Sequence, residues 1–197
     1  MTPDQTMDKQ AVIAGEGFVL RPLRASDAGL IRLNAGDERV ARMTRSVPHP
    51  LPPGATEDFI RRAQSPNRDE DVWAIDGTPS DRPEVMGLIG LTRIDTSRDS
   101  RFPPSPEGLQ AEISYWVAPV WWNTGVASAA VAAMVAANPL DCRTLFGTVF
   151  QDNPASARVL TNCGFQYLGD AEVFSVARGG TLPTWTYSLA LKSRKQD

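Results

Sequence analysis

The chain has 197 residues, of which 42% are hydrophobic and 22% charged, and this composition is typical of one folded domain with a substantial core. Twenty Lys and Arg residues against 23 Asp and Glu residues give a net charge of -3, which argues against a broad nucleic-acid-binding surface. The two cysteines do not form a Cys-x-x-Cys pair and the only histidine, His49, is far from them in sequence, so a metal site is not expected. Because prolines flank His49, we interpret it as a loop residue rather than a catalytic base.

The chain begins with a polar segment. Residues 1–16 lack the basic region and apolar core of a signal peptide, and no apolar run approaches the length needed to span a membrane. We therefore expect a cytoplasmic protein without a membrane partner. Its expected organisation is a polar lead-in over 1–16, a single domain over 17–192 and a polar tail over 193–197.

The first part of the domain is predicted to form one strand and two short helices. The alternating segment 18–24 has strand character, and Ser26 or Asp27 can cap the helix that follows. The inward stripe expected of this helix is Leu30, Leu33 and Val40. After a proline-rich segment, a second helix is predicted to begin at Thr56.

Strand signals then recur towards the middle of the chain. Segments 71–76 and 84–94 indicate an antiparallel pair, and a further strand is predicted over 111–118. The intervening segment 95–110 is rich in Ser, Pro and Arg and longer than a hairpin requires, so we interpret it as a surface insertion. Pro119 lacks the amide hydrogen that a central strand needs and is expected to end the ladder.

The second half of the chain is predicted to form two helices separated by a strand and followed by a pair of strands. The helices are expected over 125–137 and 153–164, with a strand over 143–150 between them. The closing strands are predicted at 165–176 and 184–191. The first of these helices is small and apolar on all its faces, so we expect it to lie close against a sheet.

The segment 121–134, WWNTGVASAAVAAM, contains one glycine and no charged side chain. A turn of small residues that leads straight into a helix leaves the first backbone amides available, and the helix dipole adds partial positive charge there. Such a helix end can hold an anion. Taken alone, a glycine turn before an alanine-rich helix more often indicates packing than anion binding. The motif supports a binding site only in combination with other motifs of the chain.

The order of these elements resembles the GNAT N-acetyltransferase superfamily, and most closely its ribosomal-protein N-terminal acetyltransferase branch. The motifs that carry the resemblance are the turn at 122–127, Asn153, Ser156, and the pair Gly164 and Phe165. The resemblance implies a GNAT-like α/β (α+β) fold with a mixed, mostly antiparallel central sheet, flanking helices and splayed central strands. In that fold Pro119 would let strand 111–118 part from strand 143–150.

The resemblance also implies how acetyl-CoA binds, with no metal. In the family, backbone amides of the glycine turn bind the pyrophosphate, and the Asn and Ser side chains of the second motif face the pantetheine arm. The branch usually has Trp-Gly-x-Gly at the turn, whereas this chain has Asn123 and Thr124. The implied cofactor-binding residues are Trp116, Val117, Trp122, Asn123, Thr124, Gly125, Val126, Ala127, Ser128, Asn153, Ser156 and Arg158. We expect Trp122 to pack beneath the turn.

The chemistry requires a neutral amine, and therefore a proton acceptor. Glu112 is the candidate that the resemblance implies; strand alternation places it on one face with Ser114 and Trp116, although a solvent-facing glutamate is the alternative. The amide of Val117 would stabilise the oxyanion. Many family members have a tyrosine acid where this chain has Leu160, so Ser156 is either the substitute acid or a residue that positions the cofactor.

The function that these motifs predict is transfer of the acetyl group of acetyl-CoA to a primary amine, by direct attack within a ternary complex. The acceptor partner is either a protein N-terminus or a small-molecule amine, and a homodimer is compatible with the sequence. Acceptor contacts are expected near Thr44, Arg45 and Arg98. The alternative is a non-catalytic acyl-CoA-binding or regulatory module, because the tyrosine is missing and the glycine turn is altered.

Overall fold

A computed structural model describes residues 10–95, 102 and 108–192. Within these residues eight strands form one sheet in the order β1-β2-β3-β4-β5-β6-β8-β7. All neighbouring strands are antiparallel except β5 and β6, which run parallel. The strands are β1 (Ile13–Gly15), β2 (Phe18–Pro22), β3 (Glu70–Asp76), β4 (Gly87–Arg93), β5 (Gln110–Val117), β6 (Thr144–Phe150), β7 (Gln166–Ser175) and β8 (Gly180–Ala190). The expected mixed, mostly antiparallel sheet is confirmed.

Helices cover both faces of the sheet. They are α1 (Ala28–Ala35), α2 (Glu38–Ala41), α3 (Ala55–Ala63), α4 (Val126–Ala137) and α5 (Pro154–Asn162). Strand alternation divides β3 between two cores: Trp73 and Ile75 belong to the larger core with α4, whereas Val72 and Ala74 belong to a smaller core with α1 and α3. The small side chains of α4 allow it to lie close to the sheet, as the sequence predicts.

The N-terminal part differs from the prediction in three respects. β1 lies within the expected polar lead-in, and its Ile13 is buried. The stripe predicted for α1 is wrong in phase, because Ile31 and Ala35 are buried while Leu33 is 70% exposed. Val40 is buried, but it belongs to the separate helix α2. Most of the predicted insertion, Arg98 and the predicted tail lie outside the described residues.

The strands β5 and β6 part almost as soon as they meet. Their pairing covers only Gln110–Thr144, Ala111–Leu145 and Glu112–Phe146. Beyond this point β5 remains paired with β4, and β6 remains paired with β8. We call the gap between residues 113–117 and 147–150 the fork.

Pro119 does not cause the fork, contrary to the prediction. It lies beyond the end of β5, and the ladder with β4 continues up to the bond from the Ala118 amide to the Met86 carbonyl (2.8 Å). At the fork itself, the side chain of Leu160 from α5 fills the space beside Gly147, where a Cβ atom would come within 2.8 Å of it. The packing of α5 therefore accompanies the separation of the strands, and Pro119 ends the pairing of β5 with β4.

A buried ion cluster joins β2 and β3 to the start of α1. The Arg21 guanidinium on β2 donates two bonds of 2.9 Å to Asp27, at the start of α1, and one of 2.5 Å to Asp76 on β3. All three side chains are at most 4% exposed. Burial alone would raise the pKa of Asp76, but the bonds from Arg21 and Thr78 hold that pKa below its ordinary value.

We predict that Arg21→Met lowers the free energy of unfolding by about 3–5 kcal/mol, because it leaves two buried carboxylates without their cation. Urea denaturation at pH 7 measures this loss. Asp76 has a lowered pKa in the folded state, so its contribution is present above its unfolded pKa of about 3.9 and lost as the pH falls. The difference between wild type and variant should therefore shrink below about pH 4.

The matched control is Arg39→Ala, which removes an arginine whose partner Asp37 lies on the surface. It should leave the denaturation midpoint almost unchanged. Equal midpoints for wild type and Arg21→Met at pH 7 would contradict a structural role for the cluster.

Candidate active site

A cleft of about 810 Å³ runs along the fork. β5 forms its floor, the end of β6 and the start of α5 form one wall, and α2 with the following segment forms the other wall. The turn before α4 lies at one end of the cleft, and the glutamates of β3 and β5 line it as well. The cleft therefore brings together the two motifs of the second half of the chain and the predicted base.

The turn before α4 presents backbone amides to the cleft. Gly125 precedes the helix with φ 85°, and no side chain of the described residues caps the helix start. The first amide of α4 with an intrahelical bond is that of Ala129, which donates to the Gly125 carbonyl (2.9 Å). The amides of Val126, Ala127 and Ser128 therefore lie in the uncapped first turn, where the helix dipole favours an anion.

Asn123 explains how this turn forms without its first glycine. Its φ is 60°, a left-handed conformation that glycine adopts freely and that asparagine tolerates better than most residues. The neighbouring Thr124 hydroxyl donates to the Trp121 carbonyl (2.6 Å) and stabilises the turn. Asn123 therefore adopts, in place of the first glycine of the Trp-Gly-x-Gly pattern, a conformation that glycine also adopts.

The two tryptophans of the turn differ in burial. Trp121 is partly buried against the larger core, whereas Trp122 is 41% exposed, so the prediction that Trp122 packs beneath the turn is wrong. The Trp122 indole instead donates to the Val117 carbonyl (2.8 Å), and the Arg39 guanidinium lies over its ring at 5.6 Å. The indole therefore joins the turn to the end of β5.

The amide of Val117 faces the fork. In an antiparallel ladder, alternate residues direct their amide and carbonyl to the same neighbour. The Ala118 amide and the Gln110 carbonyl bond to the β4 side, with distances of 2.8 and 3.0 Å, so the even-numbered residues of β5 serve β4. The odd-numbered residues from 113 to 117 consequently direct their backbone groups towards β6, on the side where pairing has ended.

A tyrosine of β5 meets the start of α5 across the fork. Asn153 caps α5 by accepting a bond from the Ser156 amide (3.2 Å), as the Asn-x-x-Ser pattern predicts. The Tyr115 hydroxyl lies 2.9 Å from Ser156 Oγ and 3.1 Å from the Ser156 carbonyl oxygen. Burial raises the pKa of Tyr115 well above its ordinary value. No pattern in the sequence indicates this contact, because Tyr115 and Ser156 lie far apart in the chain.

Glu112 lies where the strands part. It is 7% exposed, so the alternative of a solvent-facing glutamate is wrong. Its Oε2 atom is 3.2 Å from the Arg45 guanidinium. On the same face of β5, Trp116 packs against the smaller core and also lines the cleft.

The segment that carries Arg45 is held by the far edge of the sheet. The Val176 amide donates to the Arg45 carbonyl (3.0 Å), and Arg178 donates to the Arg42 carbonyl (2.6 Å). Arg178 also pairs with Asp152, which precedes α5 (2.8 Å). We call these contacts the clasp. They connect the β7–β8 turn to the wall of the cleft.

Some of the remaining residues considered in the sequence analysis line the cleft and others do not. Thr44 and the exposed Arg158 line the cleft, whereas His49 does not and instead has its Nδ1 atom 3.1 Å from the Gly36 carbonyl oxygen. The loop interpretation of His49 is therefore supported. Among the described residues there is no group of three potential metal ligands. The described helices include none that is both long and apolar enough to cross a membrane.

Sequence reasoning missed Glu70, the first residue of β3. Its carboxylate accepts a bond from the Ser114 hydroxyl of β5 (2.6 Å) and lines the same cleft as Glu112. Burial raises the pKa of Glu70, and the nearby Glu112 adds to this effect. The sequence predicts β3, β4 and β5 but not the register of their pairing. That register is what places Glu70 on the same face of the sheet as Ser114 and Glu112.

Comparison with known proteins agrees with this geometry. The model of the acetyltransferase (GNAT) domain family matches residues 18–166. The uncharacterized N-acetyltransferase YoaA of Bacillus subtilis is 29% identical over 119 residues, which are 59% of this chain and 60% of that protein. The chain thus matches less than two thirds of the length of this relative.

Solved structures share the fold at low sequence identity. RimJ of Mycobacterium smegmatis, in complex with CoA-disulfide, has a TM-score of 0.73 and 18% identity, covering 96% of this chain and 92% of that one. Spermidine N-acetyltransferase of Vibrio cholerae, in complex with CoA and spermine, has a TM-score of 0.68 and 16% identity, with coverages of 88% and 95%. The microcin C7 self-immunity acetyltransferase MccE, in complex with acetyl-CoA and AMP, has a TM-score of 0.70 and 15% identity, with coverages of 89% and 93%. The chain belongs to the GNAT acetyltransferase family.

Proposed function

We propose that the protein transfers the acetyl group of acetyl-CoA to a primary amine, by direct attack within a ternary complex. The observation that carries the proposal is the fork, with the uncapped first turn of α4 at one end and carboxylates in the same cleft. The solved relatives that hold acetyl-CoA or CoA share this fold. The residues of the cleft fit each part of that molecule.

The phosphates of acetyl-CoA fit the start of α4. The amides of Val126, Ala127 and Ser128 are donors that need no cationic side chain, and Gly125 leaves the approach open because no atom lies within 4 Å of a Cβ built there. The exposed Arg158 lines the same cleft and supplies a positive charge. This end of the cleft therefore suits a pyrophosphate.

The pantetheine arm fits the fork. It is an extended chain with amide groups, and the odd-numbered residues 113–117 of β5 offer it backbone donors and acceptors that β6 does not use. Asn153 and Ser156 are on the opposite side of this path. In the proposed complex the amide of Val117 stabilises the negative charge that develops on the thioester oxygen, a contribution of a few kcal/mol.

Ser156 and Tyr115 form the site proposed for the leaving sulfur. A thiol has an ordinary pKa of about 8.5, whereas burial raises the pKa of Tyr115 far above that value. Full proton transfer from Tyr115 to the thiolate would therefore be unfavourable. The pair instead stabilises the thiolate with a hydrogen bond from Ser156, which Tyr115 holds in place at 2.9 Å. This role needs no tyrosine at the position of Leu160.

Glu112 is the proposed contact for the amine. Its carboxylate lies at the base of the fork, fixed by Arg45, and attracts the ammonium form in which an amine arrives. Removal of the proton through water then gives the nucleophile. The acceptor is a protein N-terminus or a small-molecule amine; relatives of the same fold include RimJ and a spermidine N-acetyltransferase.

We predict opposite effects of Ser128→Asp on stability and on cofactor binding. A carboxylate in the first turn of α4 should raise the free energy of unfolding by roughly 0.3–1 kcal/mol through the helix dipole. It should also weaken CoA binding at least tenfold, about 1.4 kcal/mol, because it competes with the phosphates for the same amides. Urea denaturation and calorimetric titration with CoA measure the two effects.

Ala136→Asp is the control for this change, because it adds the same charge to an exposed position in the last turn of α4. It should leave CoA affinity unchanged and slightly lower stability. If Ser128→Asp bound CoA as tightly as wild type, the phosphates would not lie at the start of α4.

The activity itself is tested by incubating the protein with acetyl-CoA and a panel of peptides and small amines, with thiol release and product masses as readouts. We predict acetylated products, and a drop in kcat of about 10²-fold for Glu112→Gln, with an acetyl-CoA Kd within twofold of wild type. Glu172→Gln on β7, an exposed position outside the cleft, is the matched control and should retain full activity.

Tight CoA binding without turnover across the whole panel would contradict the enzymatic proposal and favour a non-catalytic acyl-CoA-binding module. Full activity of Glu112→Gln would exclude Glu112 from the reaction while leaving the transferase proposal intact.

A further inference from the structure

A second glutamate shares the face of the sheet that carries Glu112. In the observed register Glu70 of β3 lies opposite Thr92 of β4, and Thr92 lies opposite Glu112 of β5. Residues that face each other across neighbouring strands project from the same face of the sheet. Because strands are about 4.8 Å apart, the backbones of the two glutamates are separated by about 10 Å. Both side chains line the cleft.

The Glu70 carboxylate reaches across β4 because β4 has a glycine there. A Cβ atom at Gly90 would clash with Glu70 Oε1 and would lie 3.1 Å from Ser114 Oγ. The absence of that atom lets the carboxylate lie over β4 and accept the bond from Ser114 on β5 (2.6 Å). The Glu70 carboxylate is therefore held next to β5, the floor of the cleft. It lies beside Ser114, which is two residues after Glu112.

The surroundings of the two carboxylates differ. Glu112 faces the Arg45 guanidinium at 3.2 Å, whereas the direct partner of Glu70 is the neutral Ser114 hydroxyl. The charged groups that act on Glu70 are Arg45 and Glu112 from other elements and Asp71 from β3 itself. Asp71 is itself paired with Arg68 and with Arg93. Burial is the main reason for the raised pKa of Glu70, and a carboxylate with a raised pKa is suited to accept a proton near neutral pH.

We propose that Glu70 is the final acceptor of the proton that the incoming ammonium loses near Glu112, and that Gly90 and Ser114 position its carboxylate for this step. This role rests on the proposed acetyl transfer. It makes Glu70 the general base, acting through water, while Glu112 draws the ammonium into the cleft.

The incoming ammonium loses two protons during the reaction. The ammonium gives one proton through water to the Glu70 carboxylate, which becomes a carboxylic acid. The free amine nitrogen bonds to the thioester carbon, and the carbon–sulfur bond breaks. A second proton leaves the nitrogen as the amide forms and ends on the departing sulfur. Glu70 then releases its proton to solvent.

The first test is the pH profile of kcat for Glu70→Gln at saturating acetyl-CoA and amine. Wild-type kcat should fall as the pH drops through the raised pKa of Glu70, since only the carboxylate accepts a proton. In Glu70→Gln, kcat at neutral pH should fall by about 10²-fold, and this acid limb should disappear. The acetyl-CoA Kd should stay within twofold of wild type. Glu84→Gln, an exposed position outside the cleft, is the matched control and should keep both rate and profile.

The second test moves the carboxylate without removing it. Gly90→Ala retains every charge of the cleft, but the added methyl group displaces the Glu70 carboxylate from its position over β4. It should lower kcat nearly as much as Glu70→Gln. The double variant should be no slower than Glu70→Gln alone, within about threefold, because both changes disable the same group. Circular dichroism and thermal unfolding of each variant establish that it is folded.

A readout that needs no turnover separates this proposal from the proposed function. In a ¹³C NMR titration of the labelled glutamate carboxyls, one signal should titrate at a raised pH, vanish in Glu70→Gln and shift in Gly90→Ala. A wild-type protein that acetylates no amine overturns the proposed function and this role with it. An active wild type whose rate and acid limb survive in Glu70→Gln, or a Glu70 signal that titrates at the ordinary pH, overturns the role of Glu70 alone.

Discussion

The early parting of β5 from β6 is the constraint on which the rest of the site depends. A central strand normally satisfies its backbone groups on both sides, and a buried group left without a partner costs free energy. Beyond Glu112, β5 is paired with β4 on one side only. The sheet therefore gives up ladder bonds in its middle, and an extended ligand with amides of its own can replace them. A continuous sheet here would have made a better core and no cleft.

The sequence predicted most of the elements and the local features at the α4 end of the cleft, because those features are encoded by neighbouring residues. The cap at Asn153, the small residues of α4 and the turn at Gly125 are each encoded within a few residues. The phase of α1 was misjudged because the predicted stripe ran past Gly36 into a second helix. Glu70 and the contact of Tyr115 with Ser156 depend on strands and helices far apart in the chain, so no local pattern could indicate them.

The cleft is electrically polar along its length. One end has the partial positive charge of a helix start without a side-chain cap from the described residues, and the other has the carboxylates of Glu70 and Glu112, of which Glu112 is paired with Arg45. A helix start favours a negative charge, and in the proposed complex it holds the phosphates of acetyl-CoA while the amine lies near the two carboxylates. This arrangement is not evident from the order of residues along the chain. β3 and β5 both line the cleft because each is paired with β4, which lies between them in the sheet.

The clasp supports the Glu112 end of the cleft from outside the cleft. Arg45, which faces Glu112, is fixed at its carbonyl by Val176, and the segment before it is fixed by Arg178. Residues of the β7–β8 turn therefore help to fix the segment from which the Arg45 side chain reaches Glu112. Neither Val176 nor Arg178 lines the cleft, so a substitution at either position would reshape one wall of the cleft from outside.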